Sequence, residues 1–374
     1  MNAIRGGVWQ CVVITSVLAV GLAQADDPDW ETLPFTQHAV YQAVDADGFG
    51  TFPVFDGNPV RMKGVILNEP RDMLDPTPGA EPFMGGQWQF FVQAVDGGDF
   101  GGTACWMGQN IGKIMGTHPE GSYSDAEWLA ELERLNHDPG TGHSFQRGDL
   151  VEIRARAPGL HYAGKTNINE QHSDNPGADF DVVLLVADYG LPAPEPISLS
   201  DVKNDDDEFV FDPNRLTGAE HYQGALVRIS GLSFVGTENW GPDGELVVDD
   251  GAGHTMPVKL GRGGGFSVYE PPTAPFDIIA IFDQEDGDSN DGLTDGYRLW
   301  VMDYNGNGSV LDGEGCPGDL DGSGDVALAD LAELLGHYGI ASGATYPDGD
   351  LDRDGDVDLT DLAELLGHYG DSCW

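Results

Sequence analysis

Acidic side chains at fixed spacing carry the clearest chemistry in this 374-residue chain. In the last 59 residues one pattern is written twice, 31 residues apart. The first copy places Asp319, Asp321, Ser323, Asp325 and Asp330 at positions 1, 3, 5, 7 and 12 of a loop, with Gly324 at position 6. The second places Asp350, Asp352, Asp354, Asp356 and Asp361 at the same positions, with Gly355 at 6, and adds Asp358 at 9. Calcium is a hard cation that takes six to eight oxygens, and a 12-residue loop supplies them from these positions around a glycine at the sharp turn. Each copy therefore predicts one Ca2+ site. Each loop then runs into the same sequence, DLAELLGHYG, at 330–339 and 361–370. Leu331, Leu334, Leu335 and Tyr338 fall at i, i+3, i+4 and i+7, which predicts an exit helix with one apolar face after each loop. No entering-helix pattern precedes either loop.

A half EF-hand, duplicated, with Asp at position 12 and a short linker closely resembles the type I dockerin module. The resemblance covers residues 316–374. It implies a docking function, because dockerins bind cohesin domains on a scaffold or cell surface and the duplication lets either copy face the partner. It also implies that recognition falls on loop positions 10 and 11 and on the following helix. Those positions are Leu328 and Ala329 in one copy and Leu359 and Thr360 in the other. They replace the Ser/Thr pair of the best-known cellulosomal dockerins, which points away from a cellulosomal cohesin.

Other chemistry-bearing residues form weaker patterns. Asp303, Asn305 and Asn307, with Glu314 beyond, satisfy the spacing of a third calcium loop, but no exit helix follows them. Asp283, Glu285, Asp286, Asp288, Asp291 and Asp295 read as a solvated hairpin tip rather than a metal site. His137, His143, His161 and His172 fall within 36 residues, at spacings that match no zinc signature. No GxSxG, Walker loop or HExxH is present. Trp88, Trp106, Tyr162, Trp240 and Trp300 are the aromatics that could stack on a sugar if they are not core.

The elements that must position these residues begin after a targeting segment. Arg5, an apolar stretch from Val8 to Leu22 and the small-residue site at 23–25 read as a signal peptide over 1–25, so secretion is expected. No later stretch is apolar for 18 residues, which predicts no membrane span. Removing Arg5 with the leader leaves 16 basic against 64 acidic side chains. Such a surface argues against a nucleic-acid partner, whose phosphates need basic clusters. Cys316 and Cys373 bracket the duplicated module and, in an oxidising compartment, are expected to form a disulfide clasp. Cys105, in an apolar run, reads as a buried thiol.

Strand-like runs at 60–67, 87–95, 103–107, 149–156 and 181–188 are separated by Gly- and Pro-rich turns. A capping box, Ser124 to Glu127, opens a helix carrying Trp128, Leu129, Leu132 and Leu135. Five strands with a helix between the third and fourth is the order of an OB barrel. The pattern recurs without the helix at 225–234, 245–249, 254–260, 276–283 and 296–303. The phrases VRMKGVI at 60–66 and FQRGDLV at 145–151, and YQGALVRI at 222–229 and IIAIFDQ at 278–284, resemble the OB-type modules attached to secreted bacterial nucleases and phosphatases. The expected fold is mainly β, with two tandem OB-like β-barrels followed by a small α-helical duplicated half-EF-hand domain. The expected division is signal peptide 1–25, lead-in 26–58, first barrel 59–191, linker 192–223, second barrel 224–304, linker 305–315 and dockerin 316–374. The leading functional reading is a secreted, non-catalytic protein docked through Ca2+ to a cohesin-bearing partner, in an extracellular polysaccharide-degrading assembly. Two others stay open: an extracellular glycoside- or phosphodiester-directed hydrolase with its site on the first barrel, and a carbohydrate-binding accessory protein.

Overall fold

The strand-like runs of the body resolve into two seven-stranded sheets, and the period-3.6 pattern of the tail into two helices. The computed structural model describes residues 28–54, 58–81, 83–111, 122–156, 159–169, 180–273, 275–306, 310–311, 318–320, 326–342, 344, 348–351 and 356–371. A short helix α1 (His38–Tyr41) precedes strands β1 (Val60–Ile66), β2 (Gln87–Gln93) and β3 (Gly102–Gly108). Helix α2 (Asp125–Leu135) follows, then β4 (Leu150–Ala155), β5 (Leu160–Tyr162), β6 (Lys165–Asn169) and β7 (Phe180–Val186). The second sheet takes β8 (Glu195–Ile197), β9 (Leu226–Phe234), β10 (Glu245–Asp249), β11 (Thr255–Leu260), β12 (Phe276–Gln284), β13 (Tyr297–Val301) and β14 (Val310–Leu311). Single helical turns α3 (Leu199–Val202), α4 (Ala219–Tyr222) and α5 (Gly265–Val268) interrupt it, and α6 (Leu328–His337) and α7 (Leu359–His368) form the tail.

The first sheet runs β5-β6-β3-β2-β1-β4-β7. Its inward residues, among them Met62, Trp88, Phe90, Cys105, Met107 and Ile153, pack around one core. Helix α2 plugs that core with Trp128, Leu132 and Leu135. Its capping box forms as the sequence predicts: the Ser124 backbone N–H donates to Glu127 Oε2 at 2.8 Å, and Ser124 Oγ accepts from the Glu127 backbone. In the second sheet β9, β10, β11, β13 and β12 pair in turn, and β12 pairs back to β9, so five strands close into a barrel. The β11–β13 pair is parallel and its neighbours are antiparallel. Between β11 and β12, where no helix is expected from the sequence, α5 places Phe266 in the barrel core.

Strands β2, β3 and β12 are buried on both faces, and in β3 and β12 the apolar residues accordingly run together instead of alternating. Their outward residues meet across the molecule: Phe91 and Ala104 from the first sheet share a core with Ile279 and Ile281 from the second. At one end of this contact the backbones approach so closely that a Cβ on Gly102 would lie 2.0 Å from the Gly224 carbonyl oxygen. The Gly102 N–H donates to the Gln223 carbonyl there at 3.0 Å.

The segments expected as a lead-in and a linker turn out to be one device used twice. After α1, Asp45 Oδ1 accepts from the N–H groups of Asp47 and Phe49, and Gly48 takes a left-handed φ of 81°. After α3, Asn204 Oδ1 accepts from Asp206 and Glu208, and Asp207 takes φ 61°. Each turn is closed by an isolated bridge, Val44 to Gly50 and Lys203 to Phe209. Within residues 192–223, β8 joins the second sheet parallel to β9, and Leu199, Val202 and Ala219 pack into its core.

Candidate metal centre

The described ends of the two tail loops repeat one arrangement around the carboxylates at position 12. Asp330 Oδ1 accepts the N–H of Leu320, at position 2, and its Oδ2 accepts that of Ala327, at position 9, both at 2.7 Å. Asp361 repeats this with Leu351 at 2.7 Å and Asp358 at 2.8 Å. Both carboxylates are fully buried, and Asp319 and Asp350, at position 1, are also buried. Each position-12 side chain thereby staples the start of its loop to its end. A carboxylate oxygen carries two lone pairs, so these N–H bonds leave capacity to hold a cation.

In the second loop Asp356, Asp358 and Asp361, at positions 7, 9 and 12, each present one oxygen, all within 4.8 Å of one another. This acidic triad could hold a metal ion, and its all-oxygen donor set suits Ca2+ or Mg2+ rather than zinc. Asp321, Ser323, Asp325, Asp352 and Asp354 lie outside the described residues, as do Cys316 and Cys373 of the expected disulfide.

The loops, not the helices alone, build the core beneath this centre. Leu320 and Leu351 at position 2 and Val326 and Val357 at position 8 are buried with Leu334 and Leu365 from the helices. The copies are stitched crosswise. Val326 donates to the Asp371 carbonyl and accepts from the Gly370 N–H, while Gly339 donates to the Val357 carbonyl and Val357 donates to that of Ile340. Gly339 and Gly370 end the helices at φ 97° and 94°, the left-handed cap that glycine accepts at least cost.

The helix face expected to be core divides in two. Leu334 and Leu365 point inward and Leu331 and Leu362 are half-buried, but Leu335, Leu366, Tyr338 and Tyr369 are exposed. Leu328 and Leu359, at position 10, are 68% and 67% exposed. Leu328, Leu331, Leu335 and Tyr338 are spaced i, i+3, i+7 and i+10, one stripe along α6, and α7 carries its copy. Ala329 and Thr360, beside the stripe, are also exposed. The physical reason is geometry: with Leu and Val of both loops filling the small core, one side of each helix is left over.

The other candidates do not gather. Asp303 is buried and accepts the N–H groups of Gly265 and Tyr304, both at 2.8 Å; Asn305 is buried beside it, and Asn307 and Glu314 lie outside the described residues. Asp283, expected at a solvated tip, is fully buried between Lys165 and Arg298 at 2.8 Å each, and the two cations hold its carboxyl below the usual range against burial. The histidines are dispersed. His137 Nδ1 meets the Glu133 carbonyl, His143 Nε2 meets Asp149 at 2.7 Å and His161 Nδ1 meets Thr166 at 3.0 Å. His172 lies outside the described residues. Cys105 is buried, and burial pushes its thiol far up, out of the reactive range. No helix among the described residues is long and apolar enough to cross a membrane. Comparison of the chain with protein-family models, with characterised proteins and with solved structures finds no match.

Proposed function

We propose that this chain is a secreted, non-catalytic binding protein, with two OB-like barrels carried by a Ca2+-dependent docking tail of dockerin type. The observation that carries the reading is the duplicated apolar stripe on α6 and α7, which stands exposed beside acidic loops. Six large apolar side chains, Leu328, Leu335, Tyr338, Leu359, Leu366 and Tyr369, are left in solvent by a module too small to waste them. Apolar residues at helical spacing on an open face suit a protein partner, and two equivalent faces suit either-way docking. Ca2+ would set the stripe by fixing the loop from which each helix starts, since Asp330 and Asp361 belong at once to loop and first helical turn.

The barrels support a binding role. In the second, five closed strands with the third and fifth parallel and a helical turn between the third and fourth support the OB-like reading; the first has its third strand parallel to β6 and α2 in the same place. Residues 318 and 370–371 both lie against Val326, which brings the two ends of the tail together and favours the Cys316–Cys373 clasp.

The test is binding of the mature protein to a panel of type I cohesin domains, by interferometry in Ca2+ and in chelator. Leu328→Asp or Leu359→Asp alone should weaken binding about twofold, because the other copy remains. Together they should abolish it. Binding that survives the double substitution, or that ignores the chelator, would contradict the proposal.

A further inference from the structure

We propose that the cleft between the two sheets is a binding site for a neutral carbohydrate chain. The cleft continues the contact that joins the barrels. Where Phe91 and Ala104 meet Ile279 and Ile281, the outward faces are apolar and sealed. Further along the same strands they carry Gln87, Gln89 and Trp106, with Asn167 and Asn169 from β6, and there the sheets part around a volume of about 360 Å³. That size falls within the roughly 300–1,000 Å³ of small-ligand sites.

Three features of the lining select a ligand. First, Asn167 Oδ1, Asn169 Oδ1 and Trp300 Nε1 are buried and have no hydrogen-bond partner among the described residues. Asn167 and Asn169 are two apart on one strand, so both belong to the face that lines the cleft. Buried polar atoms are normally paired, and these amide oxygens and indole N–H, in side chains that wall the cleft, are suited to a ligand that both donates and accepts once a side-chain rotation turns them to it.

Second, the charges are already spent. Lys165 is held by Asp283 at 2.8 Å and by the Gln284 carbonyl, and Glu285 pairs with Arg298. Among the described residues the cleft thus has no free cation for a phosphate or carboxylate, and its unpaired polar groups are amides and an indole. Third, Tyr162, at the tip of the β5–β6 hairpin, lies at the mouth of the cleft with 62% of its surface in solvent. It is a flat apolar platform with a polar tip, and Trp106 lies deeper in the wall. Aromatic faces beside neutral donors and acceptors match the alternating C–H and hydroxyl surfaces of a sugar ring. A lipid would meet too many amides, and a nucleic acid no free cation among the described residues.

The site is independent of the tail, so its test separates from that of the docking reading. The full mature protein is titrated with neutral hexasaccharides of β-1,4-glucose, β-1,4-xylose, β-1,4-mannose and α-1,4-glucose, and with polygalacturonate and an oligothymidylate. Binding is read by calorimetry and by tryptophan fluorescence, which Trp106 and Trp300 should report. At least one neutral hexasaccharide should bind with a Kd of roughly a millimolar or tighter. Tyr162→Ala should weaken it at least about tenfold without moving the melting temperature, since the ring is exposed. Asn169→Asp, which keeps the shape and adds a charge, should weaken it similarly. Binding should persist in chelator. The proposal is overturned if no neutral hexasaccharide binds, if only the charged polymers do, if both variants bind as the parent does, or if chelator abolishes the signal.

Discussion

Glu220 is the place where stability should respond to mild changes of pH. Its carboxyl, on α4, is fully buried, accepts from the Tyr297 hydroxyl at 2.9 Å and lies 3.4 Å from Arg215 Nε. Burial outweighs the attraction of Arg215 and raises its pKa from 4.5 to about 7, while the same burial lowers that of Arg215. Because the folded value is the higher one, the folded state keeps a proton that the unfolded chain has lost. The stabilisation is complete below the unfolded pKa and disappears as pH rises through about 7. The interval is worth roughly 3 kcal/mol, most of it falling between pH 5 and 8. Glu220→Gln imitates the protonated carboxyl and cannot titrate. Urea unfolding of the Ca2+-saturated protein at pH 5 and pH 8 should show the parent losing about 2–3 kcal/mol relative to the variant, so that the variant gains on the parent at the higher pH. Parallel pH curves for the two proteins would refute the reasoning. So would a variant that falls at least about 2 kcal/mol below the parent at pH 8, since attraction to Arg215 would then exceed the cost of burial.

Three further outcomes follow from the geometry. The second loop should fill before the first, because it offers carboxylates at positions 1, 3, 5, 9 and 12 where the first has Ser323 at 5 and Ala327 at 9; calorimetry on Asp350→Ala should lose the tighter site, and on Asp319→Ala the weaker. Gly102→Ala should destabilise the body by about 1–3 kcal/mol or more, because the methyl would enter the Gly224 carbonyl at the barrel contact, and thermal unfolding of the variant measures it. Non-reducing peptide mapping should find Cys316 joined to Cys373 and Cys105 reduced, the clasp being worth roughly 4 kcal/mol if loop closure sets its effect.

What was legible in the sequence was where the strands lie. The ten runs read as strands fall on β1, β2, β3, β4, β7, β9, β10, β11, β12 and β13, and the Ser124 box starts α2 at the residue expected. What was not legible was which partner covers each face. The double burial of β3 and β12, and the cleft beside them, arise from the packing of one sheet on another, and the pairing of Lys165 with Asp283 joins residues 118 positions apart. Short pieces such as β5, β8 and α5 carry too few residues for a period to show. The internal repeat of α1 and α3 was hidden because Asp45 and Asn204, and Gly48 and Asp207, do the same backbone work with different side chains. In the tail, spacing located the loops and helices but not the division of each apolar face, because Leu320, Val326 and their copies took core positions that helix periodicity had assigned to Leu335 and Tyr338.

If the duplicated loops hold Ca2+, as we propose, the ion should also set the two helices that leave them. Native mass spectrometry of the chelator-stripped protein, titrated with Ca2+ while far-ultraviolet circular dichroism is recorded, tests both at once. Two ions per chain should bind, helical signal should rise in step with them, and Asp330→Asn and Asp361→Asn should each lose one ion. A protein that takes up no Ca2+, or that takes it up with both position-12 variants behaving as the parent does, contradicts the proposal.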